Sequence, residues 1–388
     1  MLNIHFRSPA LWNRQRDFYG YGRVFFKLRE ALLQREDVRL VEDYKHADIQ
    51  VCLCHPHQRW EYFHWWGHER HPVQVIYTTW ETTRLPLDWH EVLNSCAGVF
   101  TVSDWSVGVY RNDGITAQLF NVPHGVDTEY FKYLERDWQS ERFYFLWQGM
   151  YFVDRKGLKW ARQAFTELNL PNAWLVEKWY PMISRAWGPV RYDAERRIQI
   201  GQFLEKDDYH DLLRSCHVSV NPTRGEGFGM LPLETASTGM ATIVTDWSGV
   251  KEYVTPECFW PLKYKLCEPG QDYVTTYAYA LAKTKPGQDA IPDVEDLKKA
   301  MLYFYENRED AREMGLRAHE HAKQFTWARA AQMFVDSCHA VLESGAKTKD
   351  IYRRKYVYEY GAPIGFWNIL WWRMERMWKK VKKWARMF

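Results

Sequence analysis

The chain has 388 residues, more than one compact core normally holds, and this length predicts two domains. Its 46% hydrophobic and 26% charged residues are ordinary for a soluble globular protein. The net charge of +3 is unevenly divided, since residues 347–388 carry 12 Lys/Arg and 3 Asp/Glu, a net charge of +9, and the rest of the chain is at −6. This asymmetry predicts an anionic surface as the partner of the basic tail.

No stretch approaches the roughly 20 apolar residues that span a bilayer, and the first residues resemble a strand rather than a signal peptide. The seven cysteines are odd in number and irregularly spaced, which argues against a disulfide framework. Cys52 and Cys54 precede a group of histidines, but their spacing is not that of a structural zinc site. We therefore expect a cytoplasmic location and no metal site.

Apolar runs alternate with a helical pattern in the first 140 residues, and a second series of the same kind begins at residue 143. This alternation predicts two doubly wound parallel sheets, with a boundary in the polar residues 132–142. The predicted strands of the first series are 2–6, 49–54, 73–77 and 98–102, with a helix at 24–34. Those of the second are 143–147, 174–177, 198–203, 217–221 and 242–244, with a helix at 158–168.

The most specific segment is Asn221-Pro-Thr-Arg-Gly-Glu-Gly-Phe-Gly-Met-Leu-Pro-Leu-Glu234, which places Glu226 and Glu234 eight positions apart. The glycines of this turn allow backbone N–H groups to approach a ligand, and the helix that follows offers its positive end to a phosphate. Glu226 is positioned to reach sugar hydroxyls, and Glu234 to accept hydrogen bonds from a ribose. The alternative is an ordinary strand–loop–helix connection with solvated glutamates.

This segment resembles the Glu-x7-Glu signature of the family 4 retaining glycosyltransferases, which have the GT-B fold. Further landmarks of that family follow in the expected order along residues 1–343. They are Asn121-Val-Pro-His-Gly-Val-Asp127, Asp154-Arg-Lys-Gly157 with Ala164-Phe165, Thr245-Asp-Trp-Ser-Gly-Val-Lys-Glu252 and Phe325-Thr-Trp327.

The resemblance implies two Rossmann-like domains that face a cleft, followed by a C-terminal amphipathic helical extension. The first domain would comprise residues 1–137 and the nucleotide-sugar-binding domain residues 138–325. Residues 326–345 would form a closing helix that crosses back to the first domain, and residues 346–388 the basic tail.

The resemblance also assigns roles. Arg155 and Lys156 would hold the donor diphosphate, where cations stabilise the charge of the leaving group, and Glu226 would grip the donor sugar. No cofactor or obligatory metal is expected. The residues expected to bind the donor are Gly20, Gly22, Gly227, Phe228, Gly229 and Glu234. For Gly20 and Gly22 a plain strand-to-helix turn is an equal alternative, and for Arg155 and Lys156 a solvated helix start.

The chain departs from the family pattern in two places. Many members have Gly-Arg where this chain has Gly149-Met150, so Arg155 is the candidate for the missing charge. Many also carry a His-Asp pair where this chain has Thr78-Thr-Trp-Glu81, which makes Glu81 a candidate on the acceptor side. His124 is a second acceptor-side candidate, with an ordinary loop residue as the alternative.

Within the tail, residues 366–388 have apolar residues at helical spacing in an arc of roughly 140° around the helix axis. The Lys and Arg residues of this segment lie outside that arc. A basic amphipathic helix with Trp on its apolar face is typical of an interfacial helix on an anionic membrane. A helix docked on the protein itself and a nucleic-acid contact are the alternatives.

The sequence thus predicts a retaining glycosyltransferase that uses a nucleotide-diphospho-sugar donor and a hydroxyl acceptor. A glycan or lipid-linked acceptor at the cytoplasmic membrane face is the first choice. One alternative is a phage-type enzyme that glycosylates modified DNA bases, and another is a non-catalytic nucleotide- or carbohydrate-binding protein on the same scaffold.

Overall fold

The computed structural model describes residues 1–8, 20–56, 71–150, 154–180, 191–192, 196–269, 285 and 287–349. The predicted tail helix lies outside the described residues, as do residues 9–19 and most of the histidine-rich segment. No helix in the described ranges is long and apolar enough to cross a membrane.

The first sheet has six strands, all parallel, in the order β2-β1-β3-β4-β5-β6. Helices usually cover both faces of a parallel sheet, and here β3 and β4 are buried at every position, their polar Gln50 and Gln74 included. The strands are β1 Leu2–Arg7, β2 Val38–Leu40, β3 Ile49–Leu53, β4 Gln74–Tyr77, β5 Gly98–Thr101 and β6 Leu119–Asn121. The helices among them are α1 Gly20–Leu33, α2 Leu87–Asn94 and α3 Asp104–Asn112.

The second sheet has seven strands in the order β13-β12-β11-β7-β8-β10-β9, of which only the edge strand β9 is antiparallel. The strands are β7 Phe143–Gly149, β8 Ala173–Trp179, β9 Arg191–Tyr192, β10 Arg197–Ile200, β11 Val218–Asn221, β12 Ala241–Thr245 and β13 Trp260–Leu262. Between them lie α4 Leu158–Leu168, α5 Lys206–Ser215 and α6 Met230–Ser237. A separate antiparallel pair, β14 Tyr264–Cys267 and β15 Asp289–Pro292, precedes α7 Val294–Glu306 and α8 Arg308–Ala322.

Both sheets reverse their winding direction at an inner strand. In the first sheet the reversal lies between β1 and β3, and in the second between β7 and β11. Ligands of open α/β sheets bind at the carboxyl ends of the strands that flank such a switch point. The topology therefore predicts that a ligand binds near the segments that follow β1, β7 and β11.

The last described helix, α9 Trp327–Glu343, packs on the first sheet beside α1 although it follows the second domain in sequence. Thr326 caps it by accepting a hydrogen bond from the Arg329 amide. The Phe334 ring contacts Phe6 and Phe100 with centroid separations of 5.3 and 5.5 Å. This helix thus completes the core of the first domain.

Candidate active site

A cavity of about 760 Å3 opens between the carboxyl ends of the two sheets. It is bounded by the first turn of α1, the residues that follow β4, β7 and β8, and the Gly-rich turn between β11 and α6. Most of the residues predicted from the sequence line it. They are Gly20, Glu81, His124, Arg155, Lys156, Glu226, Gly227, Phe228 and Gly229.

Gly20 and Gly22, expected to bind the donor, lie at the start of a helix. Both belong to the first turn of α1, where Gly20 faces the cavity and Gly22 is buried. A residue that begins a helix presents free backbone N–H groups, so this position still suits an anionic ligand.

Lys156 and Glu226 form the central ion pair of the cavity. The Lys156 Nζ atom donates to both carboxylate oxygens of Glu226, at 2.8 and 2.7 Å. Lys156 ends a short 3₁₀ helix, Asp154–Lys156, that follows β7, and Glu226 follows β11. Parallel strands β7 and β11 are neighbours, which is why residues 70 positions apart meet.

Arg155 connects the two domains. One of its guanidinium nitrogens donates to the Gly225 carbonyl at 2.6 Å and lies 3.6 Å from Glu226. The other lies 3.4 Å from the Glu81 carboxylate of the first domain. Two cations and two carboxylates from both domains thus meet at one point of the cavity wall.

The Gly-rich turn requires its glycines because neighbouring side chains pack closely against it. A Cβ atom on Gly227 would lie 2.6 Å from the Thr79 hydroxyl oxygen of the first domain. Gly229 has φ of +83° and would place a Cβ 2.7 Å from the Tyr253 hydroxyl oxygen. A side chain at either position would push the two domains or the turn apart.

The backbone of Glu226 is held by the loop that follows β12. The Glu226 amide donates to the Ser248 hydroxyl at 2.7 Å, and the Gly249 amide donates to the Glu226 carbonyl at 3.0 Å. Ser248 itself adopts φ of +69°, a conformation that is uncommon for a residue with a side chain. The strained loop fixes where the Glu226 carboxylate points.

A buried arginine ties this turn to the rest of the second domain. Arg224 donates two hydrogen bonds to Asp289, at 2.9 and 2.5 Å, and its own amide donates to the Arg155 carbonyl at 2.8 Å. Such a bidentate arginine–carboxylate pair fixes the relative orientation of the two side chains. Arg224 therefore positions Arg155 and Glu226 relative to each other.

Glu234 lies on α6 and is 3% exposed. Arg23 of α1 reaches it from the first domain, with nitrogen–oxygen distances of 2.7 and 3.2 Å. Burial raises the pKa of the Glu234 carboxyl, and the Arg23 charge partly opposes that shift. The carboxylate predicted to bind a ribose is thus paired with a cross-domain arginine.

His124 is buried in the cavity wall, between Phe228 and Trp327, with ring centroids 5.1 and 6.2 Å from its own. Burial lowers its pKa to about 3, so the imidazole is neutral near pH 7. Its Nδ1 atom has no hydrogen-bond partner among the described residues. This nitrogen is available to a polar group of a ligand.

An aromatic compartment occupies another part of the cavity. It is lined by Lys178, Tyr180, Phe203, Leu204 and Tyr209. The hydroxyls of Tyr180 and Tyr209 are 3.2 Å apart and both donate to the Gln148 amide oxygen, at 3.3 and 2.7 Å.

The sequence reasoning missed Arg23, Lys178 and the Arg224–Asp289 pair. A lysine inside a strand that is otherwise buried was the signal for Lys178. An arginine in the first turn of the helix after β1 was the signal for Arg23. Nothing in the sequence indicates that Arg224 and Asp289 are partners.

In the described part of the chain, no group of three His, Cys, Asp or Glu side chains is arranged to hold a metal ion. Cys52 and Cys54 are buried at and just after the end of β3.

Comparison with known proteins agrees with this geometry. Residues 187–334 match the sequence model of a family described as "Family 4 Glycosyltransferase in conflict systems". That range includes the Gly-rich turn, Glu226, Glu234 and the start of α9. No curated protein is significantly similar in sequence to this chain.

Solved structures of glycosyltransferases share the fold. Anabaena Alr3699/HepE, solved in complex with UDP and glucose, superposes with a TM-score of 0.60 at 12% identity, over 88% of this chain and 100% of its own. A glycosyltransferase from Rickettsia africae has a TM-score of 0.56 at 11% identity, over 88% and 98%. Sucrose-phosphate synthase from Thermosynechococcus elongatus has a TM-score of 0.54 at 14% identity, over 77% and 74%.

The fold prediction of two Rossmann-like domains facing a cleft is confirmed. The match of residues 187–334 and the shared fold both agree with the resemblance to the family 4 glycosyltransferases of GT-B fold.

Proposed function

We propose that the protein transfers a sugar from a nucleotide-diphospho-sugar to a hydroxyl acceptor with retention of the anomeric configuration. The observation that carries this proposal is the convergence of Lys156, Arg155 and Glu226 beside the amino end of α6. A phosphate-binding helix end, two cations and a sugar-binding carboxylate are the parts that such a transfer needs.

In the proposed complex, Lys156 and Arg155 bind the donor diphosphate, assisted by the backbone N–H groups of Gly227 to Gly229. Glu226 accepts hydrogen bonds from the donor sugar, and Glu234 from the ribose. Lys156 now donates to both oxygens of Glu226. Diphosphate binding would draw this ammonium toward the phosphates and release lone pairs of Glu226 for the sugar.

The chemistry proposed is front-face attack within one closed complex, so no side chain acts as a nucleophile. The glycosidic carbon–oxygen bond of the donor breaks, the nucleoside diphosphate leaves with the bonding electrons, and the acceptor oxygen attacks from the same face. The acceptor proton goes to the departing phosphate oxygen. The protein contributes alignment of the two substrates and fixed positive charge at the leaving group.

Glu81 and His124 line the cavity from the first domain and are proposed to contact the acceptor or the donor sugar. His124 is neutral and has a ring nitrogen without a described partner, which suits a hydrogen bond to a sugar hydroxyl. Glu81 lies 3.4 Å from Arg155 and so couples the acceptor side to the diphosphate.

A nucleotide-sugar donor is also supported by the structural neighbours. HepE was solved with UDP and glucose and with UDP-glucose. The cations at the diphosphate are the reason to propose that no divalent metal is needed, since they supply the charge that a metal would otherwise supply.

For the acceptor we propose a glycan or lipid-linked hydroxyl at the cytoplasmic face of a membrane, reached through the basic residues 366–388. A modified DNA base is the second candidate. The description of the matched family as part of conflict systems, together with the basic tail, favours keeping it.

The test is a pair of variants, Lys156→Ala and Glu226→Ala. Both are expected to abolish transfer while the protein stays folded. Lys156→Ala should weaken binding of a nucleoside diphosphate strongly, and Glu226→Ala should weaken it little, because only the first residue contacts phosphate. Equal loss of affinity in both variants would show that Glu226 does not act on the sugar.

Donor hydrolysis separates an enzyme from a binding protein on the same scaffold. The purified protein should slowly hydrolyse its nucleotide sugar without acceptor, and Glu226→Ala should not. A protein that binds the nucleotide sugar but neither hydrolyses it nor transfers the sugar to any glycan, lipid or DNA acceptor would be a binding protein only.

A further inference from the structure

Lys178 is a buried lysine in the wall of the cavity. It lies near the carboxyl end of β8, and it is 3% exposed. Its Nζ atom donates to the backbone carbonyls of Trp179 and Gln202, at 3.0 and 2.9 Å. An ammonium group has three N–H donors, so one of them has no acceptor among the described residues.

No carboxylate pairs with this ammonium among the residues that the structure describes. The Tyr180 ring also faces the ammonium group, with its centroid 4.7 Å from Nζ. Burial lowers the pKa of Lys178 to about 8, so the group is still mostly charged at pH 7. A buried cation without an acidic partner destabilises a fold, and such groups are concentrated at sites that use them.

The side chains around Lys178 suit a flat ring. Tyr180, Tyr209, Phe203 and Leu204 line the same compartment. Aromatic and aliphatic walls with a single hydrogen-bond donor are the usual surroundings of a bound aromatic heterocycle.

The compartment adjoins the carboxylate assigned to the ribose. Burial is the main cause that raises the pKa of Tyr180 to about 12, and the nearby Glu234 carboxylate adds to it. The Tyr180 ring, which lies 4.7 Å from the Lys178 Nζ atom, is thus also within electrostatic range of Glu234. A nucleotide with its phosphates at Lys156 and its ribose at Glu234 would extend its base along Tyr180.

We infer that Lys178 is a specificity-determining residue for the nucleobase of the donor, because its remaining N–H donates to a ring carbonyl oxygen. Uracil, thymine, cytosine and guanine have such an oxygen, and adenine has none. The donor is accordingly a sugar linked to a nucleoside diphosphate with a carbonyl-bearing base. This inference rests on the proposed function, since it requires the nucleotide in this cavity.

The experiment is calorimetric titration of the full-length protein with UDP, dTDP, CDP, GDP, ADP and inorganic pyrophosphate. Lys178→Met removes the donor and the charge, whereas Lys178→Gln removes the charge but keeps an N–H donor. Lys159→Met is the matched control, because Lys159 also lies over an aromatic ring, that of Trp160 at 4.4 Å, but is not among the residues lining the cavity.

At least one carbonyl-bearing nucleotide should bind the unmodified protein more tightly than ADP by roughly 10- to 100-fold, the effect of one hydrogen bond to a charged group. Lys178→Met should bring that nucleotide and ADP to within about threefold of each other. Lys178→Gln should retain part of the preference, and Lys159→Met all of it. Affinity for pyrophosphate should be unchanged in all variants.

Two results would overturn the inference alone. In the first, ADP binds the unmodified protein as tightly as any other nucleotide. In the second, Lys178→Met weakens ADP and pyrophosphate as much as UDP, which would make Lys178 a phosphate contact. A different failure, in which no nucleoside diphosphate binds the unmodified protein, would refute the proposed function itself.

Discussion

Replacing Lys178 by methionine should change how the stability of the protein depends on pH. Lowering the lysine pKa from its usual value of 10.5 to about 8 on folding corresponds to a cost of roughly 3 kcal/mol while the group is charged. The folded state releases the proton near pH 8, but the unfolded chain keeps it until near pH 10.5. The lysine therefore destabilises the fold most below pH 8, and the penalty disappears as the pH rises.

Methionine also removes the hydrogen bonds to the Trp179 and Gln202 carbonyls, so the difference in stability at a single pH mixes two effects. The change of that difference with pH isolates the ionisation. Between pH 7 and pH 9.5, the free energy of unfolding of the unmodified protein should rise by about 2 kcal/mol relative to Lys178→Met.

Urea denaturation of both proteins, at intervals of half a pH unit and followed by fluorescence, measures this difference, and Lys159→Met serves as the exposed control. A gap between the two free energies that stays constant over the range would mean that Lys178 is not a buried cation in the folded protein. Lys178 would then offer no charged N–H donor to the nucleobase.

Three further outcomes are expected. Arg23→Ala leaves the buried Glu234 without its partner and should destabilise the protein by about 1–2 kcal/mol, a figure reduced for the partial exposure of Arg23. Adding Glu234→Gln to this variant should restore part of the lost stability. If the two substitutions have strictly additive effects in urea denaturation, the two residues are not coupled. Transfer should persist in excess EDTA, and recovery only with Mg²⁺ or Mn²⁺ would refute the roles of Arg155 and Lys156. Deleting residues 366–388 should abolish flotation with anionic liposomes but spare turnover of a short soluble acceptor. A shift of DNA in a gel at low salt without flotation would favour the nucleic-acid alternative, whereas loss of solubility or a lower Tm on deletion, without either binding, would favour a docked helix.

The sequence predicted those strands whose apolar pattern matches their burial in the folded protein. β3 and β12 are buried at every position, and their sequences are rich in apolar residues, as expected of central parallel strands. Strands β2 and β6 were missed because they are three-residue edge strands of only intermediate or low burial, and their sequences show no apolar run.

The contacts of the candidate site also fall into those that the sequence could predict and those that it could not. The meeting of Lys156 with Glu226 was predictable because each follows a strand at the switch point of one sheet, and the spacing within each motif is local. The Arg23–Glu234 pair joins residues 211 positions apart on different domains. Their contact depends on how the two domains approach each other, and no periodicity in the sequence records that.

The placement of α9 has a consequence for protein synthesis. The strands of the first sheet are complete once residue 121 has been made, but Phe334, which covers Phe6 and Phe100, follows about 200 residues later. At roughly 5–20 residues per second, the nascent first domain would expose this apolar face for about 10–40 s. A fragment that ends at the domain boundary would expose it permanently, so the first domain expressed alone should depend on chaperones or aggregate, even though its sheet is continuous in sequence.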